Sequence, residues 1–126
     1  MLNRLIIIAL ALVLFGCSSV HQKGKASWYG KAYAGKPTAS GETFRTWRKT
    51  AAHKTLPFGT KLKVTRIDTG KSVRVVVNDR GPFVKGRIID LSRKAAKKLD
   101  MIDAGVVEVE IRIVGCKKST KRSSCK

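Results

Sequence analysis

Acid is scarce in this chain. Its 126 residues include 8 Asp or Glu against 27 Lys or Arg, a formal net charge of +19 with both His neutral. Glycosidases of the common two-carboxylate kind must find their pair among those eight, so each can be weighed singly. Histidine and cysteine are also few. Two distant His and three Cys show no CxxC or HxxxH spacing, so neither metal nor cofactor is expected. Only 3 Pro accompany 43% apolar residues, a composition that excludes global disorder. The length excludes a two-domain enzyme or a large nucleotide-binding architecture.

The longest apolar run is Leu5–Phe15, eleven residues behind Arg4. A bilayer needs roughly 20 residues of helix, whereas the apolar region of an export signal needs about 7 to 15. Residues 1–16 therefore read as an export signal. Leu14-Phe15-Gly16-Cys17 resembles a bacterial lipobox, with Cys17 as the lipidated (palmitate-bearing) residue and Ser18 matching outer-membrane sorting. The expected location is the cell envelope, lipid-anchored and facing the periplasm. In that compartment Cys116 and Cys125 can pair, although free thiols remain open. In the cytosol the charge would point to nucleic acid; after export that partner is not expected, and cell-wall carboxylates and anionic lipid are the polyanions at hand.

Residues 17–23 read as lipidated Cys and tether, 24–115 as the folded domain, and 116–126 as a basic tail with Lys117, Lys118, Lys121, Arg122 and Lys126. Two-residue periodicity marks strands at Leu62/Val64, at Val73/Val75/Val77 and at Val107/Val109/Ile111/Ile113. Asp68-Thr69-Gly70-Lys71 reads as a hairpin turn, and Ile88, Ile89 and Leu91 as a more buried strand. Ser92 is placed to cap a helix to Leu99, and residues 50–55 are expected to form one helical turn before Pro57. About six strands with one or two short helices in some 90 residues make a small, mostly β, closed or nearly closed barrel. Its site should be a surface groove.

Among the acids, Asp68, Asp100, Asp103, Glu108 and Glu110 fall in turns or on outward strand positions, which leaves Glu42, Asp79 and Asp90. Asp79 ends a strand before Gly81-Pro82, where loops build sites; an Asx turn or an ion pair with Arg80 or Arg87 would explain it as well. His53 is the one His in the folded part, able to orient a carboxylate or exchange protons near neutrality, or simply structural. Trp28, Tyr29, Tyr33 and Trp47 suit sugar rings or a packed barrel cap equally.

Ala26-Ser27-Trp28-Tyr29-Gly30, Thr38-Ala39-Ser40-Gly41-Glu42, Thr50-Ala51-Ala52-His53, Thr55-Leu56-Pro57-Phe58-Gly59-Thr60, Val77-Asn78-Asp79-Arg80-Gly81-Pro82-Phe83 and Gly86-Arg87-Ile88-Ile89-Asp90-Leu91-Ser92 occur in one order. Together they resemble the rare lipoprotein A (RlpA) family over about residues 24–114. The resemblance implies a double-psi β-barrel related to expansins, and an endolytic lytic transglycosylase that cleaves MurNAc–GlcNAc bonds of denuded peptidoglycan strands to 1,6-anhydro ends. It implies Asp79 as catalytic carboxylate supported by His53 and, more weakly, Glu42, and a structural Asp90; Trp28, Tyr29 and Arg80 are the expected substrate contacts. A single Asp79 would serve as acid toward the glycosidic oxygen and then as base toward the C6 hydroxyl, which requires a raised pKa. The competing readings are a non-catalytic peptidoglycan-binding lipoprotein and a basic protein for nucleic acid or anionic membrane.

Overall fold

The computed structural model describes residues 19–30 and 33–116. Cys17 and Cys125, with the lipidation and pairing expected of them, lie outside the described residues. The strands are β1 (Gln22–Trp28), β2 (Thr50–His53), β3 (Thr60–Arg66), β4 (Ser72–Asp79), β5 (Arg87–Leu91) and β6 (Val107–Cys116), with α1 (Arg93–Lys98) between the last two. They close into a barrel in the order β1-β5-β2-β4-β3-β6. Two neighbouring pairs, β1 with β5 and β2 with β4, are parallel, and the other four are antiparallel. This is a six-stranded double-psi β-barrel.

The alternating runs behave as their period requires. Leu62 and Val64 of β3, Val73, Val75 and Val77 of β4, and Val107, Val109 and Ile111 of β6 all face the core, and their charged neighbours face water. The β3–β4 hairpin closes through Gly70, whose N–H donates to the Arg66 carbonyl at a φ of 74°. Arg66 then reaches across to the carbonyls of Leu99 and Asp100 while its fork holds Asp68.

Two expectations need correction. Residues 50–55 form no helical turn: Thr50–His53 is β2, inserted between β4 and β5 with all four residues buried. A strand covered on both faces shows no alternation, and Thr-Ala-Ala-His offers no period to read. The barrel also begins before residue 24, because Gln22 and Lys23 pair with Ile111 and Glu110, and it runs through Cys116, which pairs with Thr60. β1 itself carries no regular alternation, and its register shifts between Lys25 and Ala26.

Helix α1 starts as expected at Ser92, whose hydroxyl accepts from Ala95 N–H at 3.4 Å and from Thr50 N–H at 3.2 Å. In return the Thr50 carbonyl accepts from Ser92 N–H at 2.9 Å. Ser92 thus caps the helix and fixes the start of β2 with one oxygen. Ala95, Ala96 and Leu99 bury the inner face of the helix turn in the core. Replacing Ser92 by Ala leaves two backbone donors without their acceptor in a fully buried position, so Ser92→Ala is expected to cost about 1–3 kcal/mol. Urea unfolding at pH 7 measures it; a loss below about 0.5 kcal/mol would show that other acceptors replace the hydroxyl.

Candidate active site

The end of β4 is where the barrel opens. Ala51 pairs with Val77 but Ala52 pairs with Asp79, so Asn78 is the extra residue of a bulge. The bulge buries the Asn78 side chain and turns Asp79 to the same side of the sheet as Ala52. Three donors converge on the Asp79 carboxylate. Oδ1 accepts from Ala39 N–H at 2.9 Å and from its neighbour Arg80 N–H at 2.9 Å, and Oδ2 accepts from the Tyr29 hydroxyl at 3.1 Å. No ion pair holds Asp79 among the described residues.

Ala39 is presented by a tight loop. Thr38 N–H and Oγ1 both donate to the Glu42 carbonyl, Gly41 N–H returns to the Thr38 carbonyl, and Ser40 N–H reaches the Asn78 carbonyl. Gly41 sits at φ 89°, where a side chain would strain the turn. Sequence reasoning missed Ala39, because a backbone donor carries no side-chain signal.

Tyr29 lies at the end of β1 with its ring against Tyr33 (centroids 5.3 Å apart) and edge-on to Phe44 (5.1 Å). Burial and the Asp79 charge push its phenol well above the ordinary tyrosine range, so it stays a donor. Together with Lys36, Pro37, Thr38 and Asp79 these rings line a hollow of about 30 Å³. Trp28 is half-buried against the core, and Trp47 is 60% exposed, away from this hollow.

The remaining expected residues are placed differently. Glu42 is exposed and lines a separate cleft of about 600 Å³ with Trp47, Arg48, Lys49, Lys61, Arg74 and Lys94. Arg80 turns away from the carboxylate. Its guanidinium stacks 4.0 Å from the Phe58 ring centre and donates to the carbonyls of Leu56 (2.8 Å) and His53 (3.3 Å). Asp90 is half-buried and receives the Ser27 hydroxyl. Among the described residues no group of three His, Cys, Asp or Glu comes together as a metal site.

His53 is 3% exposed, and its ring is hydrogen-bonded elsewhere than Asp79. Nδ1 accepts from Thr55 N–H (3.2 Å) and Leu56 N–H (3.1 Å), so the neutral ring must carry its proton on Nε2, which donates to Gln22 Oε1 at 2.9 Å. Burial, then the charges of His21, Arg80 and Lys54, push its pKa down to about 4. The unfolded chain takes up this proton near pH 6.5, so stability falls as pH drops from 6.5 and levels below about 4. Asp90, held above the ordinary carboxylate range, contributes the opposite slope at the acid end. Unfolding followed from about pH 7 to 5 should show a loss on the order of 2 kcal/mol that His53→Asn abolishes and His21→Asn keeps. An unchanged slope in His53→Asn would remove His53 as its source.

Residues 21–111 match the family model described as lytic transglycolase. A Vibrio cholerae protein named endolytic peptidoglycan transglycosylase RlpA is 52% identical over 100 residues, 79% of this chain and 38% of that one. Its Campylobacter jejuni namesake is 53% identical over 92 residues, covering 73% and 34%. The chain thus spans little more than a third of the length of these relatives. Among solved structures, a Streptomyces papain inhibitor superposes with a TM-score of 0.61 at 27% identity over 79% of this chain and all of that one. An expansin from Clavibacter michiganensis superposes at 0.60 with 23% identity over 77% and 52%, a likeness of fold. With the family match running from the first residues of β1 into β6, and the Asp79 strand end inside it, this chain belongs to the lytic transglycolase family.

Proposed function

We propose that the chain is an endolytic lytic transglycosylase that cleaves the bond between N-acetylmuramic acid and N-acetylglucosamine in denuded peptidoglycan strands, leaving 1,6-anhydro ends. The observation that carries this is the Asp79 carboxylate, set at an open strand end with three donors on its oxygens and an aromatic wall beside it. A lytic cleavage needs the C6 hydroxyl of the muramic residue to lose its proton while O6 attacks C1. Asp79 is the base at that hydroxyl: Ala39 and Arg80 N–H fix one oxygen, and Tyr29 orients the other. Neither water nor a cofactor enters the balance.

His53 and Arg80 support the site at one remove. Arg80 ties the β4 end to the 53–56 carbonyls, and His53 pins the loop that presents them. Glu42 contributes through its carbonyl, which anchors the loop bearing Ala39, and Trp28 through packing. Tyr29 and Tyr33 offer the nearer sugar-stacking faces. Lipidation at Cys17, an outer-membrane anchor facing the periplasm and the absence of a nucleic-acid partner complete the reading.

One observation favours a second reading, wall binding without turnover. The superposing Streptomyces protein is named as a papain inhibitor, a name for binding. Turnover separates the two. Residues 18–126, incubated with intact and amidase-stripped peptidoglycan, should release 1,6-anhydromuramic products from the stripped material, and Asp79→Asn should lower the rate at least ~100-fold. Mass spectrometry that finds no anhydro product, with the protein still pulled down by the wall, would establish the binding module instead.

A further inference from the structure

A base at the C6 hydroxyl is half of the chemistry. The glycosidic oxygen also needs a proton as it leaves, and an oxygen pair already receiving three hydrogen bonds is an acceptor site, poorly suited to give one. The strand register identifies another carboxyl in position. Ala52 of β2 pairs with Asp79 on its β4 side and with Asp90 on its β5 side, and Asp90 pairs in turn with Ser27 of β1. Ser27, Asp90, Ala52 and Asp79 therefore form one row across four adjacent strands.

Residues in such a row share a face of the sheet. The two flanking rows, Ala26–Ile89–His53 on one side and Trp28–Leu91–Ala51 on the other, place Ala26, Ile89, Leu91 and Ala51 in the hydrophobic core, so the Asp90 row faces out of it. The smallest chiral side chain stands between the two acids. Two strand spacings put the Asp79 and Asp90 backbones roughly 10 Å apart, with the fully buried Ala52 between them. Carboxyl pairs that work on opposite sides of a glycosidic bond with a nucleophile between them stand roughly 6.5–9.5 Å apart.

We infer that Asp90 is the general acid of the reaction, acting across Ala52 from Asp79. This rests on the transglycosylase reading. The neutral Asp90 carboxyl gives its proton to the glycosidic oxygen as the C1–O bond breaks, and the electron pair of that bond leaves as the glucosamine C4 hydroxyl. Asp79 takes the C6 hydroxyl proton as O6 bonds to C1. The cycle closes when the proton passes from Asp79 to Asp90, by way of the Tyr29 hydroxyl or solvent.

The groups facing Asp90 agree with an acid. Burial raises its pKa and the Asp79 charge adds to that, while the Ser27 hydroxyl and the Arg87 charge oppose it without reversing the sign. Tyr29 reaches the row at Asp79, whose Oδ2 accepts from its hydroxyl at 3.1 Å. The Ser27 hydroxyl donates to Oδ1, which leaves Oδ2 for the acidic proton.

The test exploits the leaving group. A 2,4-dinitrophenyl glycoside of a GlcNAc–MurNAc oligosaccharide departs without protonation, whereas the natural linkage does not. Asp90→Asn should lose at least ~100-fold on stripped glycan and less than ~10-fold on the dinitrophenyl substrate, while Asp79→Asn loses on both. In the wild type, the fall in rate at high pH seen with stripped glycan should vanish with the dinitrophenyl substrate, a readout that needs no variant to fold. Equal losses of Asp90→Asn on both substrates, full activity on stripped glycan, or a high-pH limb common to both substrates would each overturn the assignment. A wild type that yields no anhydro product from either substrate would overturn the transglycosylase reading itself, and the assignment with it.

Discussion

Four residues hold the site together. β2, Thr50 to His53, lies between the strand that ends in Asp79 and the strand that carries Asp90, parallel to one and antiparallel to the other. A slip of one residue would turn its side chains to the opposite face and break the alignment of both acids with Ala52. Each end of this short strand is locked by a polar side chain. At the start, Ser92 exchanges two hydrogen bonds with the Thr50 backbone. At the end, the His53 ring gathers Thr55 and Leu56 N–H on one nitrogen and Gln22 on the other. Protonating His53 would set a third N–H against two donors, so its neutrality and the register of β2 are one constraint.

That constraint explains what the sequence could and could not reveal. Where one face is buried and one is wet, period and structure coincide, and β3, β4 and β6 are readable from Val, Leu and Ile alone. β2 is wet on neither face, and β1 is irregular about a register shift, so both lacked a period. Asp79 was legible as a carboxylate at a strand end, and Ser92 as a cap. The partners were not: Ala39 acts through a peptide N–H 40 residues away, and Tyr29 through a hydroxyl 50 residues away. Glu42 and Arg80, adjacent in motif to the right residues, put their charged groups elsewhere, one on a basic cleft and the other on Phe58 and two carbonyls. Sequence proximity fixes where a peptide sits, while the side chain's direction depends on long-range packing.

Charge enters at two scales. Glu110, Asp68 and Asp100 are taken up in exposed ion pairs worth little individually. Arg48, Lys49, Lys61, Arg74 and Lys94 share the larger cleft with one carboxylate, Glu42, and none forms an ion pair among the described residues. Such a surface draws anionic polymers in and loses its pull with added salt, because exposed charges are screened beyond about 8 Å at physiological ionic strength.

A protein this basic should favour ionised carboxylates everywhere, which sets a condition on any acid it contains. Distant cations reach Asp90 only through screened solvent, so the local terms decide. Burial outweighs the Ser27 hydroxyl and the Arg87 charge, with Asp79 on the same side of the balance. Asp79 has other surroundings: its oxygens accept from two peptide N–H groups and a phenol. With one strand between them and under one net charge, two chemically identical groups meet different surroundings: burial raises the pKa of Asp90, while three hydrogen-bond donors converge on Asp79.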